Sequence, residues 1–508
     1  MKLKAIVKFM LIVVTATSIV SCTSGSDPFA KGYSPVTGWK YNDKNGTGFT
    51  IEKNLKTNVP PGMIAIEGGS FTIGERNEYV TAQRDNQRRR ITVRSFYMDQ
   101  YETRNADWRE YVTWMDIIFG KVAPELVNKA RPDETVWREE LAYNEPHIQH
   151  YFTHPSFNNY PVVGVTWEQA MDYCIWRTDR VNELVLVKAG YIAMPDFVSL
   201  KDQMDYDAIA YDFVFNTEKY LLQSSYQPTD GRKRKETIFG ETRKVSMSDG
   251  ILFSDFRLPT EAEWEFAAYG IRATSEKEGL VYENRMYPWD GAQTRQSTKK
   301  KKKDQGQMMA NFVRGRGDMM GTSGALNDKA SETAPVNWYL PNDFGLYNMA
   351  GNVNEWVLDV YRSTSFDEMV EYNSFRGNIY TEPVIIDIDE EGNNIYKLDS
   401  LGRIERSTIL SGDKRNYKDG DPMSLIMTDF PLLTDTANIS NLQRQENIDP
   451  TDILSPLVSD RTRVYKGGSW KDRIYWLHPS SRRYMEQDKS TSDIGFRCAM
   501  SMIGDTDI

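Results

Sequence analysis

The sequence predicts a chain of mixed strands and helices, an α+β class, and three observations carry that reading. Short runs of alternating apolar residues mark strands. Two threonine-initiated capping boxes mark helices. Between them lie long stretches that follow neither period, although glycine and proline are not in excess. At 508 residues, with 40% hydrophobic and 12% aromatic residues, the chain can bury a large core. The formal charge of -10 argues against nucleic acid as a partner, since nucleic-acid binding favours a basic footprint.

The first segment is a targeting signal. Lys2, Lys4 and Lys8 precede an apolar run from Phe9 to Val20 that ends at Ser21-Cys22. The run is short for a membrane span, which takes about 20 apolar residues, and the basic flank fits a signal peptide over residues 1–21. Ile19-Val-Ser-Cys22 resembles a bacterial lipobox. It implies cleavage before Cys22, lipidation of Cys22, and anchoring by its acyl chains. Thr-Ser-Gly-Ser follows, with no aspartate directly after the cysteine. By analogy with Gram-negative lipoproteins, this points to the outer membrane, in its periplasmic leaflet. Residues 22–60, rich in Ser, Gly, Asn, Lys and Thr, read as a tether.

The main domain is expected over residues 61–503. Met63 to Gly74 reads as a hairpin about Gly68-Gly69, and Arg90 to Met98 as a further strand. A helix is expected to start within Tyr101–Trp108. Pro161 to Cys174 reads as a strand followed by a helix, with Thr166 and Gln169 as its capping box. Trp167, Ala170, Met171 and Cys174 share one apolar face of that helix. Thr260 and Glu263 box a second helix that Gly270 ends. Insertions are expected at about 185–252 and 361–460. In the second, Asp387–Asn394 reads as the tip of a strand-turn-strand unit. Lys299 to Lys303 read as a solvated loop. His147, His150 and His154 are spaced to share a helix face, as a zinc site requires. Their segment is short and ends at Pro155, which favours surface and hydrogen-bonding roles.

Several blocks carry a resemblance. They are Gly68-Gly-Ser-Phe-Thr-Ile-Gly74, Tyr101-Glu-Thr-Arg-Asn105, Arg257 to Gly270, Asn348-Met-Ala-Gly-Asn-Val-Asn-Glu-Trp356, Tyr465-Lys-Gly-Gly-Ser-Trp470 and Ile494-Gly-Phe-Arg-Cys-Ala-Met500. Together the chain resembles the formylglycine-generating-enzyme (sulfatase-modifying-factor) family. The resemblance implies an α+β fold of the C-type-lectin-like variant. It implies calcium as a structural ion at two places, one matched by Asn348, Gly351, Val353 and Glu355, the other by Asn311, Phe312, Asp328 and Ala330. It also implies a disulfide between Cys174 and Cys498, which an oxidising compartment permits. The catalytic pair is what the chain lacks. The active enzymes use two cysteines after the Gly-Gly-Ser motif to bind copper(I), a metal suited to soft sulfur ligands. Asp472 and Leu477 stand at those positions, and no other cysteine is left to replace them. No copper and no catalysis are expected.

Within the family, the tether block Thr37 to Phe49 and the block Leu141 to Gly164 are similar to gliding-motility and type IX secretion lipoproteins of the GldJ/GldK (PorK) group. That narrower resemblance implies a non-catalytic outer-membrane lipoprotein supporting secretion and gliding, with GldK- and GldN-type ring proteins as partners. Two other readings stay open: an enzyme modifying an exported protein through non-cysteine residues, and a lectin-like binding module.

Overall fold

The computed structural model describes residues 32–34, 36–45, 49–51, 58–75, 86, 88–140, 142–196, 214–223, 226, 231–237, 239–270, 285–289, 291–296, 305–314, 330, 332–361, 381–388, 392–408 and 461–504. Two four-stranded sheets organise them. The first runs Met63–Ile66, Phe96–Asp99, Ala499–Ser501, Phe256–Arg257, each antiparallel to its neighbour. It ties the beginning, middle and end of the domain into one layer. The second runs Arg483–Glu486, Thr462–Lys466, Asn354–Val360, Ile494–Gly495, the last joined in parallel.

The expected hairpin about Gly68-Gly69 is not formed. Met63–Ile66 pairs with Phe96–Asp99, while Gly69–Ile73 pairs with Arg89–Val93 in a separate ribbon. The chain switches sheets at Gly68, and its partner switches at Arg94-Ser95. The two corners cross so closely that a Cβ on Gly68 would collide with the backbone of Val93, Arg94 and Ser95. The Gly68 amide donates to Ser95 Oγ at 3.0 Å, which closes the crossing. The expected strand over Arg90–Met98 is likewise two strands, one on each side of that corner.

The helices follow their local signals more closely. Trp167–Ala189 begins at the Thr166 and Gln169 box and ends at Gly190 in the left-handed region. The strand expected before it reduces to one bridge between Arg104 and Pro161. The helix runs past residue 185, into the start of the expected first insertion. Glu261–Tyr269 has the Thr260 and Glu263 box and ends at Gly270, φ 59°. The N-terminal helix spans Asn105–Phe119, starting at the end of the expected Tyr101–Trp108 segment. Within 361–460, where the second insertion is expected, Ile385–Ile388 pairs antiparallel with Asn394–Tyr396, the two strands of the expected strand-turn-strand unit.

Aromatic packing joins these elements. Trp108 is fully buried and stacks on Tyr173 at 5.2 Å, and Phe496 meets both rings edge-on. Trp356 lies beneath, its indole N–H donating to the Val165 carbonyl at 3.1 Å. Burying such side chains contributes about 1.5–3 kcal/mol each. Among the described residues no helix is long and apolar enough to cross a membrane.

Candidate functional site

The site is built where the Asn348–Trp356 turn meets the Gly467–Trp470 loop. Asn348, Gly351 and Asn352 all have positive φ (51°, 77° and 68°), which coils the turn tightly before the central strand begins at Asn354. Asparagine and glycine are the residues that tolerate this backbone region. The Gly351 amide donates to the Gly467 carbonyl, and the Trp470 amide to the Asn352 carbonyl, both at 2.9 Å. The Asn352 amide donates to the Asn311 carbonyl at 2.9 Å. A Cβ on Gly351 would overlap that same carbonyl, so the three segments fit only with glycine there.

Charges are buried beneath this lock. Glu355 and Arg497 are both fully buried and paired, with Arg497 donating to both carboxylate oxygens at 2.6 and 2.7 Å. The Trp264 indole N–H adds a third bond at 2.7 Å. Glu102 lies nearby and accepts from the side-chain amides of Asn348 at 2.8 Å and Asn352 at 2.9 and 3.1 Å. Burial, reinforced by the Glu355 charge, pushes the Glu102 carboxyl up to about 8 against the pull of Arg497 and the two amides. Lys466, also fully buried, spans Glu265 at 2.8 Å and Glu261 at 3.2 Å.

Asp472 and Leu477, the two positions that the resemblance matches to the enzymes' cysteines, both hold structure together. Asp472 accepts from Arg483 Nη1 and Nη2, each at 2.6 Å. It also accepts from the Ser469 amide at 2.8 Å, the Ser469 hydroxyl at 2.6 Å and Asn354 Nδ2 at 3.2 Å. Burial works to raise its pKa, but Arg483, Ser469 and Asn354 outweigh it and hold the carboxyl below its usual range. Asp493 shares the Ser469 hydroxyl and the Asn354 amide, at 3.2 and 3.0 Å. Leu477 is fully buried in an apolar cluster with Tyr287, Met308, Phe312, Tyr339 and Ala350. A carboxylate clamped by arginine and a leucine packed among aromatics offer no ligand to a soft metal.

The expected calcium ligands behave differently from one another. Asn348 Oδ1 is buried without a hydrogen-bond partner, an atom that a hard cation would satisfy. Both Glu355 oxygens are held by Arg497 and one also by Trp264, so this carboxylate is not open to an ion as it stands. Of the side chains matched to that ion, Asn348 thus has an oxygen to offer a hard cation and Glu355 does not. Asn311 donates to the Glu332 carbonyl at 2.6 Å and lies against Asn352. Phe312 packs beside Leu477, with Ala330 at the edge of the same cluster. Asp328 lies outside the described residues, as do Cys22 and Lys299–Lys303.

Cys174 and Cys498 are brought together in the core. Their sulfurs are 3.5 Å apart, both fully buried, and they stand as two thiols rather than the expected disulfide. Burial first, and then the neighbouring sulfur, raises the Cys174 thiol well above its ordinary pKa. The histidines take separate roles. His147 pairs with Glu332 at 2.5 Å and lies against Trp137, and His154 Nδ1 accepts from the Ser156 amide.

Glu102, Arg483 and Arg497 were not singled out by sequence reasoning. For Arg497 a signal was present: an arginine inside the apolar Gly495-Phe-Arg-Cys-Ala block must be buried with a carboxylate. For Arg483 and Glu102 the partners come from distant segments that no local pattern identifies.

A mixed helix-and-sheet domain, with a glycine- and asparagine-rich polar centre closed by buried ion pairs, is the class this geometry defines. Residues 49–406 match the Sulfatase-modifying factor enzyme 1-like domain, and the chain belongs to that family. It is 25% identical over 315 residues to the formylglycine-generating enzyme of Mus musculus, covering 58% of each chain. The match thus spans under two thirds of that relative's length. It is 23% identical over 335 residues to the inactive C-alpha-formylglycine-generating enzyme 2 of Bos taurus, covering 61% of this chain and 74% of the relative. It is 21% identical over 306 residues to the chaperone protein LppX of Paenibacillus barcinonensis, covering 59% and 72%. The relatives thus include proteins named as active, as inactive, and as a chaperone.

Proposed function

We propose that this chain is a non-catalytic member of its family, an outer-membrane lipoprotein anchored through Cys22 that assembles with other envelope proteins. The observation that carries the reading is the Asp472–Arg483 clamp at the position where a copper-binding thiolate would be needed. Relatives named inactive or chaperone make such a role familiar within the family. The blocks Thr37–Phe49 and Leu141–Gly164 favour the GldJ/GldK group. The assembly is then the periplasmic ring that supports type IX secretion and gliding, with GldK- and GldN-type partners. The two insertions are the proposed contact surfaces, since loops on a rigid scaffold commonly carry binding.

Two measurements test this. Affinity purification from native envelopes is expected to recover secretion-ring proteins with the chain, and recovery of the chain alone defeats the assembly reading. Copper(I) titration with a cysteine-peptide oxidation assay is expected to show neither binding nor turnover, and robust turnover defeats the non-catalytic reading. Calcium is proposed only as a structural ion at Asn348. Calcium should raise the melting temperature of the wild type over chelator and not that of Asn348→Ala. Equal shifts in both, or none in either, remove the ion from the account.

A further inference from the structure

The stretch read as a tether contains a preformed loop over residues 33–40. Tyr33 and Lys40 pair in an antiparallel bridge. The Ser34 amide donates to the Trp39 carbonyl at 2.7 Å and the Gly38 amide to the Ser34 carbonyl at 2.9 Å. Ser34 Oγ accepts from the Val36 and Thr37 amides at 3.3 and 3.1 Å, and Thr37 Oγ1 from the Trp39 amide at 3.4 Å. Gly38 makes the turn at φ 76°. Beneath the bridge the Tyr41 amide donates to the Gly32 carbonyl at 2.9 Å. Asn42 closes the base, its side chain exchanging two bonds with the Ile51 backbone at 3.0 and 3.1 Å.

What this loop presents outward is apolar. Val36 at its apex is 91% exposed, and Tyr33 and Trp39 flank it with more than half of their surface open. Two aromatic rings with polar edges around an aliphatic tip suit the boundary between water and hydrocarbon, where Trp and Tyr are enriched. Polar backbone resists that environment unless its hydrogen bonds are made. Here the amides of Ser34, Val36, Thr37, Gly38 and Trp39 are all satisfied inside the loop. Charge agrees: residues 32–42 carry the exposed Lys40 and no carboxylate, in a chain of formal charge -10. A lone cation on an apolar loop suits a surface of lipid phosphates. Position decides what covers the loop. Tyr33 stands eleven residues after Cys22, and a chain of that length reaches at most about 40 Å when fully extended. Acyl chains on Cys22 would therefore keep the loop within reach of the bilayer surface.

We infer that the loop 33–40 is a membrane-contacting element, a second hold on the phospholipid surface beside the acyl chains. Val36 enters the upper acyl-chain region, Tyr33 and Trp39 lie at the level of the headgroups, and Lys40 faces lipid phosphate. The inference rests on the proposed lipidation of Cys22.

The test uses full-length mature protein, acylated in a bacterial envelope, with an environment-sensitive fluorophore on Val36→Cys. Cys174 and Cys498 are buried and escape labelling in the folded protein. The protein is reconstituted in vesicles of phosphatidylethanolamine and phosphatidylglycerol, with and without a phospholipid nitroxide-labelled on its acyl chain. The nitroxide is expected to quench the fluorophore at Val36→Cys and not at Tyr143→Cys, an exposed position of the main domain. Trp39→Ser leaves the backbone bonds of the loop in place. It should shift the inserted loop roughly tenfold toward water, the loss expected for one buried aromatic side chain. Mass analysis of Cys22 separates the two readings. Acyl chains present with an unquenched probe overturn the inference alone, whereas no acyl chains overturn the lipoprotein reading with it. Quenching that is equal at Tyr143→Cys, or untouched by Trp39→Ser, also overturns it. So does a probe that lipid leaves unquenched and that only added envelope proteins shield, which makes the loop a protein contact.

Discussion

Arg483 grips Asp472 through both terminal nitrogens, at 2.6 Å each, at one of the two positions that the family resemblance matches to a cysteine. The same guanidinium also donates to Asn354 Oδ1, so the clamp ties the Gly467–Trp470 loop to the start of the central strand. The pair is mostly buried, with side chains 19% and 12% exposed. Removing one member of such a pair leaves a buried charge uncompensated, which costs about 3–5 kcal/mol.

Asp472→Ala is therefore expected to destabilise the fold by about 3 kcal/mol. The double change Asp472→Leu with Arg483→Met should cost much less, because no charge is then stranded. The dependence on pH follows from the depressed Asp472 pKa. Its contribution is present above the ordinary carboxylate range and is lost as pH falls through the lower folded value. Urea midpoints for the single and double variants decide the matter. Equal losses in both would show that the clamp is not what holds the loop.

Glu102 gives the opposite pH signature. An unperturbed glutamate releases its proton near 4.5, whereas in the fold burial and the Glu355 charge hold the proton to about 8. Between those values the folded state binds a proton that the unfolded state has lost, so stability declines as pH rises. The effect is full below 4.5 and gone by about 8, with a slope on the order of 1 kcal/mol per pH unit. Glu102→Gln keeps a neutral polar side chain beside Asn348 and Asn352 and should flatten that decline. Urea titrations of both proteins across this window provide the check. Parallel curves would mean that Glu102 is ionised throughout.

Much of this was legible in the sequence wherever the determinant is local. Thr166 with Gln169, and Thr260 with Glu263, place two helix starts because a capping box needs only four consecutive residues. That Asp472 and Leu477, and not cysteines, follow the Gly-Gly-Ser motif was legible too, since it is a matter of identities rather than contacts. Pairing across distance was not. Met63 to Gly74 satisfies every local rule for a hairpin, yet Gly68 sends its two halves into different sheets because Phe96–Asp99 and Arg89–Val93 compete successfully for them. Glu355 reads as a metal ligand until Arg497, 142 residues away, is placed on both of its oxygens. Glu102 was visible only as a letter in a motif, its amide partners lying 246 and 250 residues further on.

The two core cysteines predict a compartment-dependent bond. Cys174 and Cys498 are 324 residues apart in sequence and 3.5 Å apart in the fold, close enough for oxidation with a small shift. The proposed export would supply the oxidising conditions. Protein isolated from native envelopes should therefore resist alkylation at both cysteines when unfolded without reductant, while protein made in a reducing cytoplasm should react at both. The closed loop would stabilise the oxidised form by about 5 kcal/mol on the chain-entropy account. Full alkylation of the unreduced envelope protein would exclude the bond.

The segment 381–408 presents apolar side chains that the proposed assembly would use. Its base is docked: Arg403 donates to Asp172 on the long helix at 2.6 Å and to Asp399 at 2.9 Å. One strand is open to solvent, with Ile385, Ile386 and Ile388 exposed by 51%, 63% and 59%. Contiguous exposed apolar surface of this kind marks interaction sites more often than chance placement. Because these side chains are exposed, replacing them should change stability by no more than about 0.5 kcal/mol. Ile386→Asp with Ile388→Asp is thus expected to keep the melting temperature and to abolish recovery of envelope partners. Arg403→Ala should weaken recovery less, by loosening the base while leaving the isoleucines in place. Undiminished partner recovery by the double isoleucine variant, at wild-type stability, would remove this strand as the contact and turn attention to the first insertion.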